Sequence, residues 1–471
     1  MKRRDFLNFG VIAAAGGVVS SSALIGCSNE VKNKSRGKTK NIIFLVSDGM
    51  SSGTLTMADL LLQRKTGNGS HWIDLYRENR VSRALMDTAS ASSLVTDSAA
   101  ASSAWGGGHR VKSGSLNVGV DGTMYKPIFQ KFKEAGKSVG CVTTCPITHA
   151  TPAGFCINKK DRGEQSLIAE LYLPLHFDVM MGGGTQYFSH ETRADGKDLF
   201  SVFADEGYTV VRTKQQMNAS VGDKPLLGVF HKDGLPYSID HKEDNHLLET
   251  VPSLAELTQR AIDQLSQNPN GFALQVEGGK VDWAAHANDT GAVLYDQIAF
   301  DEAIGVAIAF AEQRDDTLVI VTTDHGNSNP GLFGNIEGFD LIQHYKHSNE
   351  WILRNITRND SPSRLIEQIH FAQGYAITDG EAREILAHYA DQANDGLYNN
   401  YKLPFKLLAS IQQKYNGVGW AGTGHSADFV ELAMFGQGSE LLNPFVKNTD
   451  LHYLMLEATG VNVESAVLAP A

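Results

Sequence analysis

The chain has 471 residues, of which 42% are hydrophobic and 20% charged, and its formal net charge is -12. This is an ordinary globular composition, with enough length for a large hydrophobic core. The acidic balance, with no Lys/Arg-rich block to offset it, argues against a nucleic-acid partner and means that any anionic ligand must be held by local positive charge.

The first 27 residues are typical of an export signal. Lys2-Arg3-Arg4 precedes an apolar run that is too short and too weakly apolar for a transmembrane helix. The segment resembles a twin-arginine signal, and Leu24–Cys27 resembles a bacterial lipobox in which Cys27 is acylated. Residues 28–40 then form a polar tether, and the exported protein is periplasmic or anchored by lipid to the cell envelope. A plain cleaved signal, with Cys27 incidental, is the alternative.

The run Asn41–Val46 is continuously apolar after its first residue and is followed closely by Asp48-Gly49. Such a run predicts a strand buried on both faces. Because ligands bind at the carboxyl ends of strands in open α/β sheets, Asp48 is a candidate site residue. The simpler interpretation of an Asp-Gly pair is a turn.

Asp97 and Ser98 open a run of small residues that predicts a helix. Ser98 is therefore expected at a helix N-terminus, where free amide groups and the helix dipole favour an anion such as phosphate. The alternative is that one of the two residues is only a helix cap. A metal ion beside Ser98 would make its hydroxyl an effective nucleophile.

A second strand is predicted over Lys137–Thr144, and it leads into His149-Ala150-Thr151-Pro152 and then Arg162. The planar fork of Arg162 could hold two phosphate oxygens. The alternative is that Arg162 and the charged residues next to it form a solvent-exposed surface segment without a ligand.

Three cysteines follow the signal, namely Cys141, Cys145 and Cys156. At most one disulfide can form among them, and the sequence does not choose the pair. The chain has no CxxC pair, which argues against a thiolate metal site. Cys141 lies in the predicted strand and is expected to be a small buried hydrophobic residue.

Two further stretches have structural interpretations. The glycines of Asp178–Gly184 lack the spacing of a phosphate-binding loop and are interpreted as a tight turn. Ser253–Leu265 has helical spacing, and Ser253 with Glu256 predicts a capping box.

The C-terminal half repeats the combination of a strand and a ligand. Phe272–Glu277 ends in an acid, and Asp282 and His286 then lie four residues apart on one face of a helix, where they could bind one zinc ion. Thr317–Thr322 is followed by Asp324 and His325, and His425 lies in a glycine-rich loop before a strand at Val430–Phe435. A buried ion pair or a core histidine would explain one such pair but explains the whole set poorly.

These motifs together identify the chain as resembling an alkaline phosphatase over nearly all of residues 41–471. The resemblance implies a three-layer α/β/α sandwich around a largely parallel sheet. It also implies that residues 333–420, with helices predicted at Ser363–Gln373 and Glu381–Ala390, form an inserted lid or crown-like subdomain that can cover the site or build a homodimer contact. The residues that carry the resemblance are Asp48-Gly49, Thr96-Asp97-Ser98-Ala99-Ala100, Ala150-Thr151-Pro152, Glu277-Gly278, Asp282, His286, Thr323-Asp324-His325 and His425.

The resemblance also implies a role for each matching residue in the hydrolysis of phosphate monoesters. Ser98 is the implied nucleophile, which forms a phosphoserine, and Arg162 is the implied phosphate clamp. The implied metal ligands are Asp282, His286 and His425 for the first zinc, Asp48, Asp324 and His325 for the second zinc, and Asp48, Thr151 and Glu277 for a magnesium.

Two positions depart from the best-known enterobacterial form of the family, which has Asp in place of His149 and Lys in place of Trp283. In this chain phosphate therefore loses a cationic neighbour, and the magnesium loses an anionic one. A weaker hold on phosphate predicts faster product release. The alternative for Trp283 is simple packing against its own helix.

Two rival functions are a related metalloenzyme that acts on diesters or sulfate esters and a noncatalytic zinc or phosphate binder. Arg162 and Ser98 argue against the first, and the complete ligand set argues against the second.

Overall fold

A ten-stranded sheet runs through the centre of the computed structural model, which describes residues 38–220, 222, 224–389, 402–462 and 467–468. The predicted signal, most of the predicted tether and residues 390–401 lie outside the described residues. The strands, numbered in chain order, are β1 Asn41–Val46, β2 Ser82–Asp87, β3 Met124–Tyr125, β4 Ser138–Pro146, β5 Val179–Gly183, β6 Thr209–Val211, β7 Leu226–Val229, β8 Phe272–Glu277, β9 Thr317–Thr322, β10 Gly326–Asn327, β11 Pro330–Leu332, β12 Val418–Trp420, β13 His425–Ser426, β14 Val430–Gly436, β15 Phe445–Lys447 and β16 Val467–Leu468.

The strand order in the large sheet is β15-β2-β14-β9-β1-β8-β4-β5-β7-β6. Strand β14 pairs antiparallel with both of its neighbours, and all other neighbours in this sheet pair parallel. The strands predicted from apolar runs, β1, β4, β8, β9 and β14, are confirmed. They include four consecutive central strands, β9-β1-β8-β4.

The sheet is covered by helices on both faces, because its central strands are apolar on both sides. In β1, Ile43 and Leu45 belong to one hydrophobic cluster, while Ile42, Phe44 and Val46 belong to another. This alternation confirms the predicted three-layer α/β/α sandwich. The helices are Ser52–Thr66, His71–Arg77, Ser98–Gly107, Ile128–Glu134, Ala150–Cys156, Gln165–Leu171, Leu199–Asp205, Lys214–Ala219, Ser238–His241, Asn245–Thr250, Leu254–Leu265, Lys280–His286, Thr290–Glu312, Ile336–Leu341, Asn349–Arg354, Pro362–Gln373, Asp379–Ala387, Phe405–Asn416 and Asp450–Thr459.

The helix predicted at Ser253–Leu265 is present as Leu254–Leu265, with the capping box. The Ser253 hydroxyl accepts a hydrogen bond from the Glu256 amide at 3.3 Å, and the Glu256 carboxylate accepts one from the Ser253 amide at 2.9 Å. Two amide groups that the helix leaves unpaired are thereby satisfied.

The tight turn predicted over Asp178–Gly184 is wrong for most of its length, since Val179–Gly183 forms the buried strand β5. Its glycines are required by close packing. A Cβ atom on Gly183 would lie 2.0 Å from the carbonyl oxygen of Asp233, and one on Gly182 would lie 2.8 Å from Thr143 and Ile147. Only Gly184, with φ of 104°, has a turn conformation that favours glycine.

The region 333–420 contains the two predicted helices, as Pro362–Gln373 and Asp379–Ala387. The predicted end of the second helix, at Ala390, lies outside the described residues. Phe339, Ile342 and Tyr345 of this region belong to the same hydrophobic cluster as one face of the sheet. The region is thus packed onto the central sheet layer, and its role as a lid or dimer contact stays a prediction.

The cysteines of the described part of the chain, Cys141, Cys145 and Cys156, are buried and form no disulfide. The sulfur atoms of Cys141 and Cys156 lie 3.9 Å apart. The burial of Cys141 is as predicted. Among the described helices, none combines the length and the apolar character needed to cross a membrane.

Two short helices, Ser98–Gly107 and Ala150–Cys156, meet at a pair of glycines. A Cβ atom on Gly106 would lie only 1.9 Å from the carbonyl oxygen of Gly154, so the two backbones are in direct contact there. Ser102 adds a hydrogen bond across the same interface, donating to the carbonyl of Thr151 at 2.6 Å. This close approach fixes Ser98 relative to Thr151.

We expect Gly106→Ala to separate these helices. The added methyl group overfills a packed interface, which typically costs about 1–3 kcal/mol of unfolding free energy. Gly380→Ala is the matched control, because Gly380 also lies in a helix but its Cβ atom would meet no atom within 4 Å. Denaturant unfolding should show a destabilised Gly106→Ala, whereas Gly380→Ala should be at least as stable as the unmodified protein. Equal stabilities would contradict this account of the interface.

Candidate active site

The acids predicted as metal ligands meet at the carboxyl ends of three adjacent strands. Strand β1 lies between β8 and β9, and Val46 at its end pairs with Glu277 on one side and with Thr322 on the other. Asp48 lies two residues beyond β1, and Asp324 two residues beyond β9. Asp48, Glu277 and Asp324 are fully buried, so the parallel register of the sheet concentrates negative charge in one place.

The surroundings of these carboxyl groups compensate this charge only in part, for example through the hydrogen bond from the Gly49 amide to Asp324 at 2.9 Å. Burial, together with the charges of Asp324 and Asp282, raises the pKa of Asp48 well above its ordinary value. Burial likewise raises the pKa of Asp324 to about 7, with a further contribution from Asp282. Buried carboxylates are costly unless they are paired or bind metal ions, so this cluster fits a cation site.

The first ligand set consists of Asp48, Asp324 and His325. The Nε2 atom of His325 lies 3.0 Å from Oδ2 of Asp324 and 3.6 Å from Oδ1 of Asp48. Nevertheless, neither His325 Nε2 nor Asp324 Oδ2 has a hydrogen-bond partner among the described residues. The atoms converge without the alignment of a hydrogen bond. Two ligands of one tetrahedral zinc ion are about 3.4 Å apart, which is close to the spacing seen here.

The second ligand set consists of Asp282, His286 and His425. Oδ2 of Asp282 lies 3.4 Å from Nε2 of His286, and Oδ1 of Asp282 lies 3.6 Å from Nε2 of His425. The two imidazole Nε2 atoms are 3.1 Å apart. The helix Lys280–His286 holds Asp282 and His286 one turn apart, which confirms the predicted placement of both residues on one helix face.

Backbone carbonyls fix the tautomers of these histidines. Nδ1 of His286 contacts the carbonyl of Thr423 at 2.8 Å, and Nδ1 of His425 contacts that of Thr96 at 2.9 Å. A carbonyl only accepts, so each Nδ1 carries the proton in the neutral ring and each Nε2 presents a lone pair. Two lone pairs that face each other are the arrangement expected around a metal ion.

The pKa values of the two rings differ. Burial and the neighbouring His325 lower the pKa of His425 to about 4, which keeps this ring in the neutral form that binds metals. Burial also lowers the pKa of His286, but contact with Asp282 outweighs it and raises the value to about 9. In the absence of a metal, a proton on His286 therefore compensates the Asp282 carboxylate.

The two ligand sets adjoin one another. The ring of His325 stacks on that of His425 with centroids 3.7 Å apart. Ligand atoms of Asp282, His325 and His425 lie within 4.8 Å of one another, as do those of Asp48, Asp324 and His325. His325 therefore stands between the sets, and two ions held by them would be close neighbours.

Ser98 lies at the start of the helix Ser98–Gly107 and is buried. Asp97 is the cap of this helix and accepts a hydrogen bond from the Ala100 amide at 3.0 Å. The capping alternative thus applies to Asp97 and leaves Ser98 free to face the acids. The Ser98 hydroxyl lies 3.5 Å from Oδ1 of Asp48, which belongs to the first ligand set.

Arg162 is anchored beside Ser98 rather than in contact with the ligand sets. Its Nη1 donates to Oδ2 of Asp97 at 3.2 Å, and its Nη2 lies 2.9 Å from Nε2 of His149. Its side chain is partly exposed. The guanidinium therefore lies where an anion approaching Ser98 could be held.

The residues implied for magnesium lie next to the first ligand set. The Thr151 hydroxyl donates to Oδ2 of Asp48 at 3.3 Å. Glu277 accepts a short hydrogen bond from the Thr143 hydroxyl through one oxygen. Its other oxygen lies 3.6 Å from Nδ1 of His149.

His149 and Trp283, the two positions that depart from the enterobacterial form, are neighbours in space. Their rings meet edge to face with centroids 6.1 Å apart. The ammonium of Lys280, which is buried, lies 4.6 Å from the Trp283 ring centroid. Trp283 is therefore part of the wall beside His149 and packs on more than its own helix.

Sequence reasoning missed the residues that position the ligands. Asp97 anchors Arg162, Thr143 holds Glu277, and Asn327 donates to Oδ1 of Asp282 at 2.7 Å. These partners lie 45 to 134 residues apart in the chain. A local motif cannot reveal such pairings; only the position of Asn327, shortly after Asp324 and His325, was a signal.

Comparison of the sequence with known proteins identifies a family that fits the geometry of this site. The alkaline phosphatase family model matches residues 39–461. Alkaline phosphatase 4 of Bacillus subtilis is 30% identical over 430 residues, covering 89% of this chain and 88% of the relative.

Solved structures of alkaline phosphatases are also similar to this chain. The crystal structure of Thermus thermophilus alkaline phosphatase superposes with a TM-score of 0.83 and 33% identity, covering 96% of this chain and 98% of the other. The cold-active enzyme of a psychrophilic Shewanella gives a TM-score of 0.76 with 26% identity, covering 88% and 98%. The chain belongs to the alkaline phosphatase family, whose members hydrolyse phosphate monoesters.

Proposed function

We propose that this alkaline phosphatase acts through a phosphoserine at Ser98, with one zinc ion bound by each of the two ligand sets. The observation that carries the proposal is the convergence of ligand atoms, 3.0 to 3.6 Å from one another, directly beside the Ser98 hydroxyl. The second ligand set, Asp282, His286 and His425, would hold one ion. The first ligand set, Asp48, Asp324 and His325, would hold the other, which is the nearer to Ser98.

Zinc bound by these two ligand sets would supply the charge that stabilises the attacking and leaving oxygens of an in-line displacement, and it would activate a hydroxyl and a water. Ser98 attacks phosphorus, the ester oxygen leaves as the alcohol with the proton that Ser98 gives up, and a phosphoserine forms. A water then attacks the phosphoserine and releases phosphate with Ser98 restored. Two in-line steps give net retention at phosphorus.

Arg162 and the helix N-terminus at Ser98 orient the phosphoryl group. The guanidinium can donate two parallel hydrogen bonds to nonbridging oxygens, and Asp97 keeps it in place. A diester has one fewer charged oxygen, so this grip favours monoesters over diesters. The free amides of the helix favour the same anion.

Asp48, Thr151 and Glu277 would hold a magnesium ion. All three offer oxygen, which is the ligand that magnesium prefers. Asp48 would thus be a ligand residue common to the magnesium site and the first ligand set.

For the remaining parts of the chain, we propose that residues 1–27 direct export, that Cys27 is acylated, and that residues 28–40 tether the enzyme to the cell envelope. The sequence of this segment supports the proposal. The region 333–420 is proposed to act as a lid or a homodimer contact.

Ser98→Ala should abolish phosphoserine formation and lower turnover by at least about 10³-fold, since the covalent nucleophile is removed. Mass spectrometry of acid-quenched reactions measures the phosphoenzyme, and metal analysis should show zinc still bound. Ser103→Ala is the matched control and should still form the phosphoenzyme, because Ser103 is also buried in this helix but its hydroxyl bonds to backbone groups of Ala99, Ser115 and Asn117. Full activity in Ser98→Ala would refute the mechanism.

Chelation should abolish activity and lower the thermal unfolding temperature, because Asp48 and Asp324 then lose their compensating cations. Zinc with magnesium should restore both properties. The Ser98→Ala variant should show the same loss of stability, since the nucleophile does not hold the ions. An enzyme that stays active and equally stable in chelator would contradict the ligand assignment.

Trp283→Lys should tighten inhibition by phosphate and slow turnover, because a positive charge is added beside the bound product. The effect should persist when the variant is combined with His149→Asp. Trp283→Gln separates the added charge from the loss of the indole and should not tighten inhibition. An unchanged phosphate inhibition constant in Trp283→Lys and in the double variant would mean that these positions do not tune product release.

A further inference from the structure

A third group of ligand atoms lies beside the two zinc sets and includes a thiol. Cys145, at the end of β4, has its sulfur within 4.8 Å of ligand atoms of both His149 and Glu277. All three residues are buried. The lack of a CxxC pair argued against a thiolate metal site, but here the fold brings together a sulfur, a nitrogen and an oxygen from separate elements.

Two atoms of this group have no hydrogen-bond partner although both are buried. They are Nδ1 of His149 and Oε1 of Glu277, neither of which has a hydrogen-bond partner among the described residues. The two atoms are 3.6 Å apart, too far for a hydrogen bond but close to the spacing of about 3.4 Å between two ligands of one zinc ion. Unpartnered buried polar atoms are rare and require an explanation. A bound cation supplies one.

The rest of the group holds these atoms in place. The Thr143 hydroxyl donates to the other oxygen of Glu277 and accepts from the Cys145 amide at 2.8 Å. One threonine therefore positions two of the three donors. Gly279 leaves the necessary room, since a Cβ atom there would lie 2.6 Å from the Cys145 sulfur and 3.0 Å from Oε1 of Glu277.

We propose that Cys145 Sγ, His149 Nδ1 and Glu277 Oε1 form a binding site for a third Zn²⁺. Sulfur and imidazole nitrogen select zinc over magnesium, which prefers oxygen ligands. Because Glu277 is shared, this zinc competes with the magnesium proposed at Asp48, Thr151 and Glu277. The inference rests on the proposed function only for that competing ion.

Binding has two consequences for the neighbouring groups. Burial, together with the charges of Glu277 and Asp48, raises the pKa of the Cys145 thiol, so the incoming ion must displace a proton from sulfur. Ligation through Nδ1 places the ring proton of His149 on Nε2, which lies 2.9 Å from Nη2 of Arg162. Two donors then face each other, and Arg162 is expected to leave His149 while keeping its contact with Asp97.

The test uses Co²⁺, which binds zinc sites and gives a thiolate-to-metal charge-transfer band in the near ultraviolet when sulfur is a ligand. Metal-free enzyme is titrated with Co²⁺ and, separately, with Zn²⁺ in the absence of magnesium. We expect three ions per chain and a charge-transfer band that grows with one of them. In Cys145→Ser, the band should vanish and the third Zn²⁺ should bind at least about tenfold more weakly.

Cys141→Ser is the matched control, because Cys141 lies on the same strand and is equally buried but its sulfur contacts Gln275 and Cys156. It should keep the band. X-ray absorption of the unmodified three-zinc enzyme needs no variant and should show a sulfur ligand at about 2.3 Å.

The outcomes separate this inference from the proposed function. Two bound ions with no sulfur ligand, or a band that persists in Cys145→Ser, would overturn the third site and leave the two-zinc proposal intact. Failure to bind even two ions would contradict both.

Discussion

The main physical constraint on this phosphatase is a group of carboxylates that the fold buries together. Asp48, Glu277, Asp282 and Asp324 are removed from water at the ends of adjoining elements, and burial raises the pKa of Asp48 and Asp324. The free energy cost of such burial is large unless cations compensate it. Metal ions bound between these groups would relieve that cost, so their binding free energy would also stabilise the fold.

The sheet and two short helices set the geometry around this cluster. Parallel pairing places the ends of β1, β8 and β9 side by side, which no antiparallel arrangement of consecutive strands would do. The contact of Gly106 with Gly154 then fixes the helix that begins at Ser98 against the helix that carries Thr151. The proposed nucleophile Ser98 at a helix N-terminus, the guanidinium of Arg162 and the acidic cluster are thereby held close together.

Local patterns in the sequence predicted the central strands correctly, because a buried parallel strand must be a continuous apolar run. The residues predicted as ligands lie together at the ends of these strands. The helical spacing of Asp282 and His286 had the same physical basis. Patterns failed where packing between distant segments decides the structure. Gly182 and Gly183 were interpreted as a turn but lie in a strand that contacts Asp233, and nothing near Cys145 in sequence reveals its approach to Glu277.

Anomalous diffraction at the zinc absorption edge, from crystals of the enzyme loaded with zinc in the presence of excess magnesium, tests the central claim most directly. Two peaks about 4 Å apart should appear, one among Asp282, His286 and His425 and one among Asp48, Asp324 and His325, with the Ser98 hydroxyl beside the second. Absence of peaks at these two sets of residues in zinc-loaded, active enzyme would contradict the account.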